Sequence, residues 1–147
     1  MPKSAITLSL VPEARGGPVV FLDDFATTCS ESARIGFDAV EIFAPDADAI
    51  RQLPIQAMLE RYPLQIAAFG TGAGAVKHGL SLSHPDISHR QRAQQFVRSI
   101  IQAAANWQTP VIVGSMQGRS SSVCDRASAL SNLRESLNIL GQTASDL

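Results

Sequence analysis

The sequence predicts an α/β fold built of four βα units. Short apolar runs alternate with longer amphipathic stretches from one end to the other, and no low-complexity block, charge run or linker interrupts them. That alternation marks βα units in a parallel sheet. The 147 residues amount to a single domain, long enough to bury roughly 68 to 70% of its unfolded surface. A hydrophobic content of 45% is ordinary for a globular chain and excludes disorder and fibre.

The first strand is AITLSLV, residues 5–11, followed by a turn-rich loop holding Pro12, Gly16, Gly17 and Pro18. A helix is expected to begin near Asp23 and Asp24, whose carboxylates suit a helix N-terminus. It carries Phe25, Cys29 and Ala33 on one face and stops at Gly36. The second strand is FDAVEIFA, residues 37–44. Residues 46–61 read as helix in two pieces, because Pro54 cannot continue a helix but can start one. In the second piece Ile55, Met58, Leu59 and Tyr62 recur at helical spacing before Pro63.

Strand three is QIAAFGT, residues 65–71, running into a long loop, GAGAVKHGLSLS. Loops of that length in a small domain often belong to a site. The third helix starts close to Pro85 and Asp86 and reaches about Asn106, with Ala93, Phe96, Val97, Ile100, Ile101 and Ala104 as its buried stripe. Strand four is PVIVGSMQG, residues 110–118, and the last helix runs from near Asp125 to the end. Its Leu130, Leu133, Leu137 and Leu140 extend over too few heptads for a coiled coil and read as core. Right-handed crossovers wind such units into a barrel arc or an open sheet. At about 37 residues per unit, a closed eight-unit barrel of typically ~250 residues needs almost twice this length. The sequence thus predicts residues 1–147 as the N-terminal half of a TIM (β/α)8 barrel.

A formal charge of −1 gives no field that recruits nucleic acid or anionic lipid by charge alone. The N-terminal apolar run is short and broken by Thr7, Ser9 and Pro12, so it reads as neither a secretory signal nor a membrane span. A cytoplasmic protein is expected. Cys29 and Cys124, far apart and in no CxxC pairing, fit a reducing compartment and read as small buried hydrophobes.

Strand alternation sets Val40 and Ile42 on one face and Ala39, Glu41 and Phe43 on the other. A carboxylate near the C-terminal end of a parallel strand either meets a structural partner or faces a ligand site. In strand four, Ser115 and Gln117 end one face and Arg119 follows. A hydroxyl, an amide and a guanidinium suit a polyhydroxylated or phosphorylated small molecule, though a surface Arg and a loop-capping Gln fit equally well. Lys77 and His78 in the loop after strand three offer a cation and a proton carrier, or a solvated pair.

Gly70, Gly72 and Ala75 satisfy a relaxed dinucleotide pattern. It is rejected because Gly79 and Pro85 delay the next helix and no acidic residue ends a following strand. Lys77 is followed by His78, not by Ser or Thr, so there is no Walker A motif. His84 and His89 share no helical face and lack further ligands at metal spacing, so no metal site is expected within the chain. Arg90, Arg92 and Arg98 form no stripe and are read as solvated.

GFDAVEIF after the first helix, the run AAFGTGAGAVKHGLSLSHPD, and RSIIQAAANWQTPVIVGSMQGR resemble the sugar phosphate isomerase and epimerase family with the xylose-isomerase-like TIM barrel. The resemblance implies an open barrel end that binds a carbohydrate or sugar phosphate. It also implies proton transfer next to a carbonyl through an enediolate, assisted by a divalent metal such as Mn, Mg, Co or Zn. Glu41 matches the acidic end of the family's second strand, Lys77 and His78 the loop after the third, and Gln117 the end of the fourth. The family's metal ligands come from strands five to eight, none of which is present here.

The chain is therefore expected to be a truncated isomerase or epimerase with substrate contacts but no metal site. The alternative is a non-catalytic half-barrel that pairs with itself as a homodimer or with a separate C-terminal half. Strands one and four would expose unpaired edges, and the inner sheet face would lie open to water, so self-association is expected. A barrel endonuclease acting at abasic DNA ranks last, because its multi-zinc cluster needs histidines at the strand ends.

Overall fold

In the computed structural model, residues 3–147 are described apart from 18, 20 and 23. Pro18 and Asp23, expected in the first loop and at the first helix start, lie outside the described residues. Four strands form one parallel sheet in the order β1 (Ala5–Ser9), β2 (Ala39–Phe43), β3 (Gln65–Gly70) and β4 (Val111–Ile112). The strands are neighbours in sequence order, as in an arc of a (β/α) barrel and unlike a doubly wound sheet, whose order reverses at a switch point. The intervening helices are α1 (Phe25–Ile35), α2 (Ala47–Gln52), α3 (Ile55–Arg61), α4 (Ala73–His78), α5 (Ile87–Ala104) and α6 (Arg126–Ser145).

Local chemistry sets the helix ends. Asp24, Asp46, Asp86 and Asp125 each cap a helix by accepting the backbone N–H three residues on, from Thr27, Ala49, His89 and Ser128. This satisfies one of the unpaired donors that every helix start carries. At the other end of α1, Gly36 takes φ +100° and closes the helix in a left-handed turn that glycine adopts without strain.

Burial follows the strand period. Leu8, Val40, Ile42 and Phe69 are fully buried on the helix side of the sheet, against Phe25 and Cys29 of α1 and Ile100, Ala103 and Ala104 of α5. A bulge between Val40 and Glu41 shifts the β2–β3 register, so that Glu41 pairs with Ala68 and Phe43 with Gly70. Without it the two strands' faces would fall out of phase. A second cluster, Leu82, Ala93, Val97, Met116 and Leu140, ties the α4–α5 connection to α5 and α6.

Several expectations are corrected. Residues 110–118 are not one strand: β4 ends at Ile112, Gly114 turns at φ +53°, and Gly114–Gln117 is a 3-10 helix. Among the described residues this edge strand bonds only to β3, at Val111 and Ile112, without the second ladder that would hold it extended. Residues 72–83 are not all loop, because Ala73–His78 is helical. Of the four α6 leucines, Leu140 is buried and Leu133 half-buried, while Leu130 and Leu137 are 52% and 40% exposed. The helix turns Ala129, Ser136 and Leu140 inward instead.

Arg90, expected in solvent, is 7% exposed. Its guanidinium donates to the carbonyls of His84 and Pro85 and meets Glu135 at 3.5 Å. The outer edge of β1 is also partly occupied, since Phe21 bridges to Leu8 and accepts the Ser9 N–H.

Candidate functional site

Glu41 and Phe43 project from the sheet face opposite the helix-packed core, and both are half-buried. Register sets Thr7 of β1 beside Glu41, and its hydroxyl donates to Glu41 Oε2 at 3.1 Å. Among the described residues this is the one hydrogen bond that Glu41 accepts, so Oε1 retains its acceptor capacity. Beyond the strand ends, Gly72 approaches Phe43 and Ser115. A Cβ on Gly72 would stand 2.6 Å from Phe43 Cε2 and 3.1 Å from Ser115 Oγ. One on Gly70 would meet Phe43 Cδ2 at 2.9 Å and Glu41 Oε1 at 3.4 Å.

The missing side chains at Gly70 and Gly72 thus let the Phe43 ring lie over the end of β3. Thr71 fixes that end by donating from its buried hydroxyl to the carbonyls of Ile112 and Val113. The turn Pro12–Ala14 lies against α4 above the strand ends. Thr7, Glu41, Phe43 and Ser115 form a small polar and aromatic surface at the C-terminal ends of parallel strands, where α/β folds bind ligands.

The residues singled out by sequence are distributed over three places. Glu41 and Ser115 share the inner surface through Gly72 and Phe43. Gln117 and Arg119 line a separate cleft of about 260 Å³ with Ser83, Ser120 and Arg126. Lys77 is exposed near the end of α4, and His78 lies edge-on to Phe96 of α5 with ring centroids 6.0 Å apart. Ser115 and Gln117 part company because the 3-10 turn replaces strand alternation and buries Met116 between them.

Thr7 and Phe43 were missed as site residues. The signal for Thr7 was a polar side chain two positions from Ser9 within an apolar strand, on the face that period 2 shares with Glu41.

The glycines after β3 also answer the dinucleotide question. A helix does open at Ala73, contrary to the ground on which that pattern was rejected. The space a phosphate would need at Gly72 and Gly74 is filled by Phe43, Met116 and Phe96, so the rejection stands on packing. The residues also do not fit the family's divalent metal: among those described, no three His, Cys, Asp or Glu side chains converge. Glu41 stands with a threonine hydroxyl and an aromatic ring, not with further ligands.

A family model described as xylose isomerase-like TIM barrel matches residues 29–146. The chain belongs to this family. Among solved structures, D-psicose 3-epimerase from Clostridium cellulolyticum H10 with D-tagatose superposes with a TM-score of 0.67 at 15% identity, covering 99% of this chain and 49% of that one. A D-psicose 3-epimerase in the presence of D-fructose gives 0.65 at 16% identity, with the same coverage. A probable 3-DHS dehydratase from Bacillus anthracis gives 0.50 at 15% identity, over 95% of this chain and 49% of that one.

At such identities the likeness establishes the fold, and this family member has the architecture of half a TIM barrel. It spans about half the length of the structures it matches. No curated protein sequence matches it. Among the described residues, no helix is long and apolar enough to cross a membrane.

Proposed function

We propose that this chain supplies the substrate-contacting half of a sugar isomerase or epimerase site, for a reaction that moves a proton next to a carbonyl. The observation that carries the reading is the Thr7–Glu41 pair on the inner face at the strand ends. Thr7 holds one carboxylate oxygen and leaves the other for a sugar hydroxyl, a charge-assisted bond stronger than a neutral one. Phe43 beside it offers an apolar surface to the C–H face of the ring, and Ser115 a hydroxyl that donates or accepts. The D-psicose 3-epimerases of the same fold, with D-tagatose and D-fructose, support a ketose as the ligand class.

Gln117 and Arg119, in the neighbouring cleft, and Lys77 and His78, on α4, belong to this reading as outer contacts. No step is assigned to a metal, because the described side chains do not form its cage. A cytoplasmic setting is part of the proposal, supported by two buried cysteines that remain thiols.

Titration calorimetry with D-fructose, D-tagatose and D-psicose tests this. Saturable binding of at least one ketose is expected, and Glu41→Gln is expected to weaken it about tenfold, since a hydrogen bond to a charged group contributes roughly 1.5–3 kcal/mol. Absence of saturable binding to the parent protein, or an unchanged affinity in Glu41→Gln, overturns the reading.

A second reading is a non-catalytic half-barrel that assembles with itself or with a separate C-terminal half. It is favoured by the single-sided pairing of β4 and by an apolar cleft of about 570 Å³ beside it, between α5 and α6. Saturable ketose binding that Glu41→Gln weakens supports the first reading, and self-association without ketose binding supports the second.

A further inference from the structure

The connection between α4 and α5, residues 79–86, is fastened by two histidines. The rings of His84 and His89 stack with centroids 3.8 Å apart and planes 17° from parallel. Each uses a ring nitrogen as an acceptor: His89 Nε2 takes the Ser81 N–H at 3.2 Å, and His84 Nδ1 takes the Asp86 N–H at 3.1 Å. A nitrogen that accepts carries no proton, so these bonds require the Nδ1–H tautomer of His89 and an unprotonated Nδ1 on His84.

We propose that this stacked pair is a pH-sensitive latch, closed while His89 Nε2 accepts the Ser81 N–H and released when that nitrogen takes up a proton. A proton on His89 Nε2 sets two donors face to face at Ser81, and a charge on His89 is repelled across the stack wherever His84 is charged too. Nearby cations also disfavour a charge on His89. On the same helix, Arg90 bonds the carbonyls of His84 and Pro85, and Arg92 lies close enough to disfavour a charged His89.

Two groups favour a charged His89 instead: the Asp86 carboxylate and the Gly79 carbonyl. From α6, Glu135 meets Arg90 at 3.5 Å. The titratable group that α4 sets against α5 is His78, at Phe96, two turns further along. Desolvation comes first among the causes that hold His89 below the ordinary histidine range, followed by His84 and Arg92. The latched state is therefore fully stable above the ordinary histidine value of about 6.5 and is lost as pH falls through the lowered folded value.

The latch also holds more than its own loop. Leu82 donates its N–H to the Met116 carbonyl, and a Cβ on Gly118 would fall 2.0 Å from Ser81 Oγ and 2.2 Å from Ser83 Oγ. Release at residues 79–86 therefore loosens the wall of the cleft that contains Gln117 and Arg119.

Nuclear magnetic resonance of the intact parent chain tests this without any ligand. Imidazole nitrogen shifts at about pH 7.5 are expected to report a proton on Nδ1 of His89 and on Nε2 of His84, with His78 as internal control. Between about pH 7.5 and pH 5, the amide-exchange protection of Ser81 is expected to fall about tenfold, while that of Ile42 in β2 stays constant. His89→Gln should remove the pH dependence at Ser81. The opposite ring tautomers, or Ser81 protection that does not change over that range in the parent, overturn the proposal.

Discussion

Glu41 and the glycines around it show how a single missing atom positions a site. Phe43 occupies the room that a side chain at Gly72 would take, so Gly72→Ala must push the ring from its place over β3. Overpacking of this kind destabilises by about 1–3 kcal/mol, and urea unfolding should register that loss together with weaker ketose binding. Gly141, inside α6, is the contrasting case: nothing lies within 4 Å of its would-be Cβ. There Gly141→Ala removes only backbone freedom from the unfolded chain and should stabilise by about 0.5–1 kcal/mol. Equal effects at the two positions would remove the claim that Phe43 is seated by its glycines.

The helices were legible because their signals are local. An aspartate followed by an apolar stripe marked the starts of α1, α5 and α6, and Pro54 marked the break between α2 and α3. The short α4 was not legible, since its glycine- and alanine-rich sequence has no stripe and its burial comes from Phe43, Met116 and Phe96, distant in the chain. Nor was the length of β4, which an edge strand takes from its partners, or the burial of Arg90, whose partners are two carbonyls and a glutamate on another helix. Glu41 was legible from strand period alone, but its contact with Thr7 required the pairing register.

The caps carry a pH consequence. Hydrogen bonds from the side chain and backbone of Thr27 hold Asp24 below the usual carboxylate range, and those from the backbone and side chain of Ser128 do the same for Asp125. Groups with lowered folded values stabilise above the unfolded carboxylate value of about 3.9 and cease to do so as pH falls through the folded one. Thermal unfolding followed from about pH 5 to pH 2.5 should show that loss. Asp24→Asn with Asp125→Asn, which keeps the cap oxygens but does not titrate, should flatten the slope.

The sheet has one protected side and one open one. Phe21 bridges the outer edge of β1, whereas among the described residues β4 pairs only with β3. Beside β4, α6 packs on α5 and stands off the sheet, leaving the apolar cleft lined by Val97, Ile101, Val111, Leu137 and Leu140. Ile112 is 42% exposed on that edge strand. Unpaired backbone N–H and C=O groups next to apolar surface favour pairing with another chain, and a lysine on such an edge opposes it. The parent protein is therefore expected to show concentration-dependent association in sedimentation velocity at about micromolar concentrations, and Ile112→Lys should shift it toward monomer while leaving the thermal midpoint of the monomer unchanged. Because the β1 edge is already occupied at Phe21, Thr7→Lys should perturb the Glu41 surface without changing association. A parent that remains a single monomeric species across the concentration range would show that the β4 edge and its cleft recruit no second copy, leaving the half-barrel to act alone or with a different partner.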